Sequence, residues 1–278
     1  MRTEDEVVTG IGLLGPVTAS RTSGPVDLGG AQRRAVLARL ALSVGRAVTA
    51  DALVDGLWAE PPPTARKILQ VQVSRLRAAL PPGTVATAGG GYRLDVEPER
   101  VDAHRFEQAV AFARSATAPD RVVARLREAD VLWRGPALAD VGDVPFAAPA
   151  VARLEEARME AVELRVGAAL ALGRGTELVA ELEALVHEQP LRERLWSGLV
   201  IALHTGGRQA DALRAYERAR VNLADVGLSP GPDLRRAHDI ALDVVAPTSP
   251  RTTSRCSPRC HRRSWTRTGA ATVGRRDA

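Results

Sequence analysis

The sequence predicts a mainly α-helical protein, with a small α+β unit at the N-terminus and an all-α region after it. Between Pro61 and Leu94 a basic amphipathic stretch runs into a glycine-rich hairpin pattern, and further along two Gly-Arg pairs stand 34 residues apart. Hydrophobic residues make up 45% of the chain but aromatic ones only 3%, so the cores must consist mainly of Leu, Val and Ala.

The N-terminal unit begins with two short apolar segments, Gly12–Gly15 and Val26–Leu28, which we interpret as strands. A helix is predicted next, because apolar residues recur at helical spacing before Gly45 stops the pattern. Those apolar positions are Ala35, Leu37, Leu40, Ala41 and Val44. Thr49 fits the N-cap of a second, shorter helix, which the prolines at 61–63 end.

The third predicted helix, between Thr64 and Leu80, has one apolar face and one basic face. At 3.6 residues per turn, its core stripe consists of Ala65, Leu69, Val73, Leu76 and Leu80. The opposite face carries Lys67, Val71, Ser74 and Ala78, flanked by Gln70, Arg75 and Arg77. The segment contains no acidic residue and four cations, which are Arg66, Lys67, Arg75 and Arg77.

This basic face suits the major groove of duplex DNA. Reading base edges there requires long donors for guanine or adenine and a small apolar group for the thymine methyl. Gln70, Arg75 and Arg77 supply the donors and Val71 the apolar group. The alternative is an ordinary solvated helix face, which normally mixes acids and bases at i,i+4 spacing. Because the acids are missing, the segment favours DNA recognition.

A β-hairpin is predicted over residues 85–94, around the glycines at 89–91. Glycines tolerate positive φ and allow the tip of a hairpin to approach another backbone closely. The order of helix, short helix, Pro-rich turn, basic helix and hairpin is that of a helix-turn-helix unit with a wing.

The region after the hairpin is helical and repetitive. Gly173-Arg174 and Gly207-Arg208 are 34 residues apart, which is the period of a tetratricopeptide helix pair. Small residues let paired helices approach closely, and one segment supplies an apolar stripe of Leu195, Trp196, Leu199 and Leu203. The period alone leaves a plain helical bundle as the alternative. A tetratricopeptide-like array would present a surface to protein partners.

The net charge of +5 comes from the C-terminal end of the chain. Residues 246–278 hold eight arginines and one aspartate, whereas residues 1–245 are slightly acidic as a whole. DNA binding is therefore inferred from the local basic face of the third helix and not from global charge. Affinity for DNA should nevertheless fall with salt, because phosphate neutralisation releases counterions.

The sequence gives little support to catalysis, and we predict neither an enzyme nor a cofactor. Lys67 is the only lysine, so no GxxxxGK phosphate loop is present, and the five histidines form no HExxH motif. No run of 18 apolar residues occurs, and the first residues lack a signal-peptide core. We therefore expect a cytoplasmic protein without membrane contact.

The tail at 246–278 is rich in Arg, Ser, Thr and Pro and has no periodic apolar face, so we predict disorder. Cys256, Cys260 and His261 lie there, but a fourth ligand is missing and we predict no metal site. Two interpretations of the tail stay open: it adds nonspecific DNA affinity, or it is the frameshifted end of a once longer gene.

Several segments resemble the Streptomyces antibiotic regulatory protein (SARP) family. LGGAQRRAVLARLAL, ADALVDGLW, PPTARKILQVQVSRLRAAL and GGGYRL are similar to its OmpR/PhoB-type winged helix-turn-helix domain. VDAHRFEQAVAFAR, EQPLRERLWSGLVIALHTGGRQADALRAYERAR and GLSPGPDLRRAH are similar to its helical bacterial transcriptional activator domain. The resemblance implies a winged helix over residues 1–97 and a tetratricopeptide-like domain over 98–245, followed by the tail.

The resemblance also implies roles for individual residues. It makes residues 70–77 the recognition helix, with Arg75 and Arg77 as base or phosphate contacts. Lys67, Gln72 and Ser74 become backbone contacts, although the helical wheel places Gln72 nearer the buried side. Relatives often carry a basic residue just before the wing glycines, where this chain has Ala88, and Arg93 is the candidate substitute.

By resemblance, the chain is a pathway-specific activator of a secondary-metabolite gene cluster. It would bind direct repeats in double-stranded DNA, self-associate there and recruit RNA polymerase. Direct repeats require head-to-tail placement of the subunits, hence a heterologous contact. Two alternatives stay open: a repressor or ligand-gated regulator, and a helical-repeat interaction module that does not bind DNA.

Overall fold

A three-stranded antiparallel sheet opens the computed structural model, which describes residues 7–242 of the chain. Its strands pair in the order β1-β2-β3 and span Val8–Gly12, Thr18–Arg21 and Gly24–Pro25. The strands predicted at 12–15 and 26–28 are wrong. Leu13 and Leu14 are fully buried in a bend after β1, so their apolar character reflects burial and not strand pairing.

Three helices follow: α1 (Ala31–Ala41), α2 (Ala50–Leu57) and α3 (Ala65–Ala79). The predicted N-cap of α2 is confirmed, since the backbone N–H of Ala52 donates to Oγ1 of Thr49 at 3.2 Å. The helix α1 is shorter than predicted, because the chain turns after Ala41 before reaching Gly45 at φ +74°. The predicted core stripe of α3 is confirmed, and all five of its residues are buried.

The hairpin is also confirmed. Strands β5 (Val85–Ala88) and β6 (Gly91–Leu94) pair antiparallel, and the short strand β4 (Val48–Thr49) joins β6 on its other edge. Gly89 and Gly90 form the turn with φ of +55° and +71°, the left-handed region that suits a two-residue hairpin. Gly91 is required for another reason: a Cβ there would lie 1.9 Å from the carbonyl oxygen of Val48.

Seven helices complete the described part of the chain, after a short 3-10 turn at Pro98–Arg100. They are α4 (Asp102–Ser115), α5 (Pro119–Asp130), α6 (Ala147–Ala171), α7 (Gly175–Glu188), α8 (Glu193–Thr205), α9 (Gln209–Ala224) and α10 (Pro232–Leu242). The helix α8 is the centre of the second half and packs against α6, α7, α9 and α10.

The 34-residue repeat is confirmed at the level of single hydrogen bonds. Gly173 and Gly207 end α6 and α8 with φ of +73° and +75°. At the first turn the N–H of Arg174 donates to the carbonyl of Ala169 at 3.0 Å, and at the second Arg208 makes the corresponding bond 34 residues on, at 2.9 Å. The helices α6 and α8 therefore end in the same C-terminal capping geometry, as the 34-residue period predicts.

Two hydrophobic cores are present in residues 7–242. The first runs from Val8 to Ala161 and includes the winged helix, α4, α5 and much of α6. The second surrounds Trp196 and is built from Val123 of α5, the rest of α6 and the helices α7 to α10. The first core thus crosses the predicted boundary between residues 97 and 98, and the winged helix packs as one body with the first helices of the next region.

Asp102, at the start of α4, connects the two regions. Its carboxylate accepts hydrogen bonds from the backbone N–H groups of Leu13 (2.7 Å), Leu14 (3.1 Å) and Ala103 (2.7 Å). It also pairs with the Arg134 guanidinium at 3.2 Å, in the loop after α5. A nearly buried carboxylate with these partners satisfies otherwise orphaned amides and holds the bend after β1 in place.

The candidate metal ligands Cys256, Cys260 and His261, like the whole predicted tail, lie outside the described residues. Within residues 7–242 no helix is both long and apolar enough to cross a membrane.

Candidate nucleic-acid interface

The exposed face of α3 is the strongest candidate site. The apolar stripe of α3 packs inward with α1 and α2, and this packing turns the basic side of the helix to solvent. Lys67, Gln70, Ser74 and Arg75 are exposed on it, and Val71 keeps 42% of its surface accessible. An exposed Val among long polar side chains is a composition that can contact base edges and a thymine methyl in the major groove.

Within residues 7–242, the side chains of Lys67, Gln70 and Arg75 have no hydrogen-bond or ion-pair partner. Their donors face solvent and are available to a ligand. The helix α3 carries no acid that could compete for these cations. The structure therefore brings the three side chains together as an unneutralised set of donors on one helix face.

Arg66 and Gln72 lie at the margins of this face and have partners. Arg66 pairs with Asp51 at the start of α2, and both side chains are 69% exposed. Such an exposed pair is weak and can exchange for a phosphate. The Nε2 of Gln72 donates to Oε1 of Gln32 on α1 at 3.1 Å, and Gln72 is half-buried, as the helical wheel predicts.

Arg77 differs from the other predicted contacts because it is bound to the hairpin. Its Nε donates to the carbonyl oxygen of Val85 at 2.9 Å, and its Nη2 donates to Oγ1 of Thr87 at 2.7 Å. Its guanidinium also lies over the Tyr92 ring, 5.6 Å from the ring centroid. The side chain thus joins the C-terminal end of α3 to both strands of the wing.

The wing itself carries little free positive charge. Arg93 pairs with Asp95 at 2.8 Å, two residues along the same segment. Ala88, where the family resemblance led us to expect a cation, ends β5 directly before the turn. Any cationic contact from the hairpin would therefore require Arg93 to exchange its carboxylate for a phosphate.

Sequence reasoning missed the partners of Arg77 and Gln72. Thr87 and Tyr92 belong to different strands, and Gln32 lies 40 residues before the side chain it binds. A cation at the end of a helix that is followed closely by a hairpin is a weak signal for such a contact.

In residues 7–242 no group of three or more His, Cys, Asp or Glu side chains could hold a metal ion.

Comparison with known proteins matches both parts of the chain. The family "Transcriptional regulatory protein, C terminal" matches residues 25–94, and the family "Bacterial transcriptional activator domain" matches residues 101–241. The fold and the two family matches thus define a winged-helix transcriptional regulator with a bacterial transcriptional activator domain attached.

Curated relatives of this chain are regulatory proteins as well. The transcriptional regulatory protein EmbR of Mycobacterium tuberculosis is 39% identical over 246 residues, covering 83% of this chain and 62% of EmbR. The transcriptional regulator RedD of Streptomyces coelicolor is 37% identical, covering 82% of this chain and 69% of RedD. The regulatory protein DnrI of Streptomyces peucetius is 36% identical, covering 84% of this chain and 91% of DnrI.

A solved structure of Mycobacterium tuberculosis EmbR, in complex with a low-affinity phosphopeptide, superposes with a TM-score of 0.79. The sequences are 38% identical, and the match covers 85% of this chain and 65% of that one. This chain therefore spans less than two thirds of the length of EmbR. It belongs to the SARP family of transcriptional regulators.

Proposed function

We propose that this chain is a sequence-specific, DNA-binding transcriptional activator that controls a secondary-metabolite gene cluster. The observation that carries the DNA-binding part is the set of unpartnered donors Lys67, Gln70 and Arg75 on an acid-free helix face. The pathway and the direction of regulation rest on family membership. Neither an enzymatic activity nor a cofactor is part of the proposal.

The side chains of α3 divide into three roles in this proposal. Arg75 and Gln70 read base edges, with Val71 against a thymine methyl. Lys67, Ser74 and Arg66 neutralise or bind phosphates, which set the register but carry no sequence information. Arg77 and Gln72 have a positioning role. Arg77 holds the hairpin against α3, and Gln72 holds α3 against α1.

The wing has a smaller part in recognition than the helix. With Ala88 before the turn and Arg93 paired to Asp95, the hairpin offers one exchangeable cation. The glycine tip still permits a close approach to the sugar-phosphate backbone. We therefore expect most base discrimination to come from α3.

The remaining parts of the proposal concern partners. By family membership, two copies would bind a direct repeat and recruit RNA polymerase to a nearby promoter. A direct repeat places two subunits in the same orientation, so their contact joins two different surfaces. The tetratricopeptide-like helices α6 to α9 are the part of the chain whose architecture suits protein contacts.

A gel-shift experiment on the full chain tests DNA binding. The probe is the DNA upstream of the chain's own gene, and random DNA of equal length is the competitor. We expect a preference for the specific probe that survives moderate salt, and an affinity that falls linearly on a log-log salt plot. Equal binding of both DNAs at moderate salt contradicts the proposal and favours a protein-interaction module.

Two further measurements test binding to a direct repeat and the direction of regulation separately. The half-site is first located by footprinting the chain on its upstream DNA. Gel-shift probes with one or two copies of that half-site then test the direct repeat. A second, cooperative band is expected only with two copies in the same orientation. Transcription from a reconstituted promoter, with and without the chain, distinguishes activation from repression. A fall in transcript on adding the chain would overturn the activator assignment while leaving DNA binding intact.

A further inference from the structure

A cleft of about 670 Å³ lies where the winged helix meets the helical region, and none of its lining residues belongs to α3. One wall is the end of α1 and the turn after it, with Arg39, Ser43 and Arg46. The other wall is formed by α4 and the first turns of α6. Its volume lies within the range that small-molecule sites occupy.

The charges that line this cleft are unbalanced. The guanidinium groups of Arg39, Arg46 and Arg153 stand against one carboxylate, that of Glu107, and Arg153 already pairs with it. In the part of the chain that the structure describes, Arg39 and Arg46 have no carboxylate partner. The first turn of α6, on the opposite wall, adds no acidic residue.

Arg39 is held in place but not neutralised. Its Nη1 donates to Oγ of Ser43 at 3.0 Å, one turn further along. Burial, and then repulsion from Arg46, lower the pKa of Arg39 below its ordinary value. A half-buried guanidinium beside a second one is costly unless an anion is near, because desolvation and the repulsion between like charges both destabilise its charged form.

We infer that this cleft binds a small phosphate-bearing ligand, with Arg39 and Arg46 as its direct ligands. Guanidinium groups present parallel N–H donors that match phosphate oxygens in bidentate geometry. Arg153 and His104 lie on the α6 and α4 side of the cleft, so a bound anion would bridge α1 and the helical region. The inference does not depend on the proposed function, because the cleft shares no residue with the α3 face.

Isothermal titration of the full chain with inorganic pyrophosphate, and separately with ADP, tests this site in the absence of DNA. We expect saturable binding to the unmodified chain and roughly tenfold weaker binding after Arg46→Gln, through the loss of a charge-assisted contact. Arg46 is exposed, so this variant should fold normally. Arg39→Gln should act similarly, and Arg39→Lys should restore part of the affinity.

Arg127→Gln is the matched control, since Arg127 is an exposed arginine of α5 that does not line the cleft. It should leave pyrophosphate binding unchanged. No saturable binding of either probe at millimolar concentration overturns the inference, and so does an equal loss of binding in the Arg127 control. If neither probe binds but Arg46→Gln weakens DNA binding and lowers its salt dependence, the arginine serves the DNA backbone instead.

Discussion

The guanidinium of Arg77 lies over the ring of Tyr92, with 5.6 Å between its central carbon and the ring centroid. Because Tyr92 is in β6 while Arg77 also bonds Val85 and Thr87 in β5, one side chain of α3 contacts both strands of the wing. The position of the hairpin relative to α3 thus depends on a residue that sequence alone predicts to be a DNA contact.

Arg77→Ala should loosen the wing. We expect the free energy of unfolding to fall by roughly 1 to 2 kcal/mol, through two lost hydrogen bonds and one cation–π contact. Amide hydrogen exchange in β5 and β6 should accelerate more than exchange in α2. Arg77→Lys keeps the charge but cannot reproduce the fork of donors, so it should resemble the alanine variant. Unchanged hairpin exchange together with relaxed base preference at one position would instead identify Arg77 as a base reader.

Arg75→Ala and Lys67→Ala should have different effects on DNA binding. Loss of Arg75 should relax preference at one base position and cost roughly 1 to 3 kcal/mol on the specific site. Loss of Lys67 should weaken all sequences alike and reduce the salt slope by about one. Affinity on the specific probe and on single-base variants, at several salt concentrations, checks both. If both variants lose affinity uniformly, the division between base reader and phosphate contact is wrong.

Asp102→Ala should destabilise the junction between the winged helix and the helical region. It removes the acceptor of three backbone N–H groups and the partner of Arg134, in a nearly buried position. We expect a loss of roughly 2 to 4 kcal/mol, measured by urea unfolding, because orphaned buried amides are costly. Asp233→Ala, at an exposed i,i+3 pair of α10, should change stability by less than about 0.5 kcal/mol.

Two glycines with different surroundings make a sharp comparison. Gly91→Ala should disrupt the β4-β6 pairing, since the added Cβ meets the backbone of Val48 and Thr49 at 1.9 Å and 2.6 Å. Gly167→Ala, inside α6, meets no atom within 4 Å and should raise stability by roughly 0.5 to 1 kcal/mol through helix propensity. Thermal unfolding of the two variants beside the unmodified chain checks both signs. Equal effects would contradict the close approach at β4.

Prediction from the sequence succeeds where the signal is local. The apolar stripe of α3, the Thr49 cap, the two-glycine turn of the hairpin and the repeated turns at Gly173 and Gly207 each depend on residues a few positions apart. The prediction of the N-terminal strands fails because the contacts that decide this segment are distant in sequence. Leu13 and Leu14 resemble a strand because they are apolar, yet their amides bind a carboxylate 88 or more residues away.

By itself, the sequence determined the winged-helix layout, the acid-free face of α3 and the two turns that recur after 34 residues. These follow from helical periodicity, turn chemistry and residue type, which act over short stretches of chain. The family followed from the resemblance of several whole motifs. The tertiary structure alone decided which donors on that face remain unpartnered. It engaged Arg77 with the wing and Gln72 with α1, and it left Lys67, Gln70 and Arg75 exposed. It also set Arg39 and Arg46 in a cleft with α4 and α6. The partners of a long side chain depend on packing between distant segments, which no local pattern encodes.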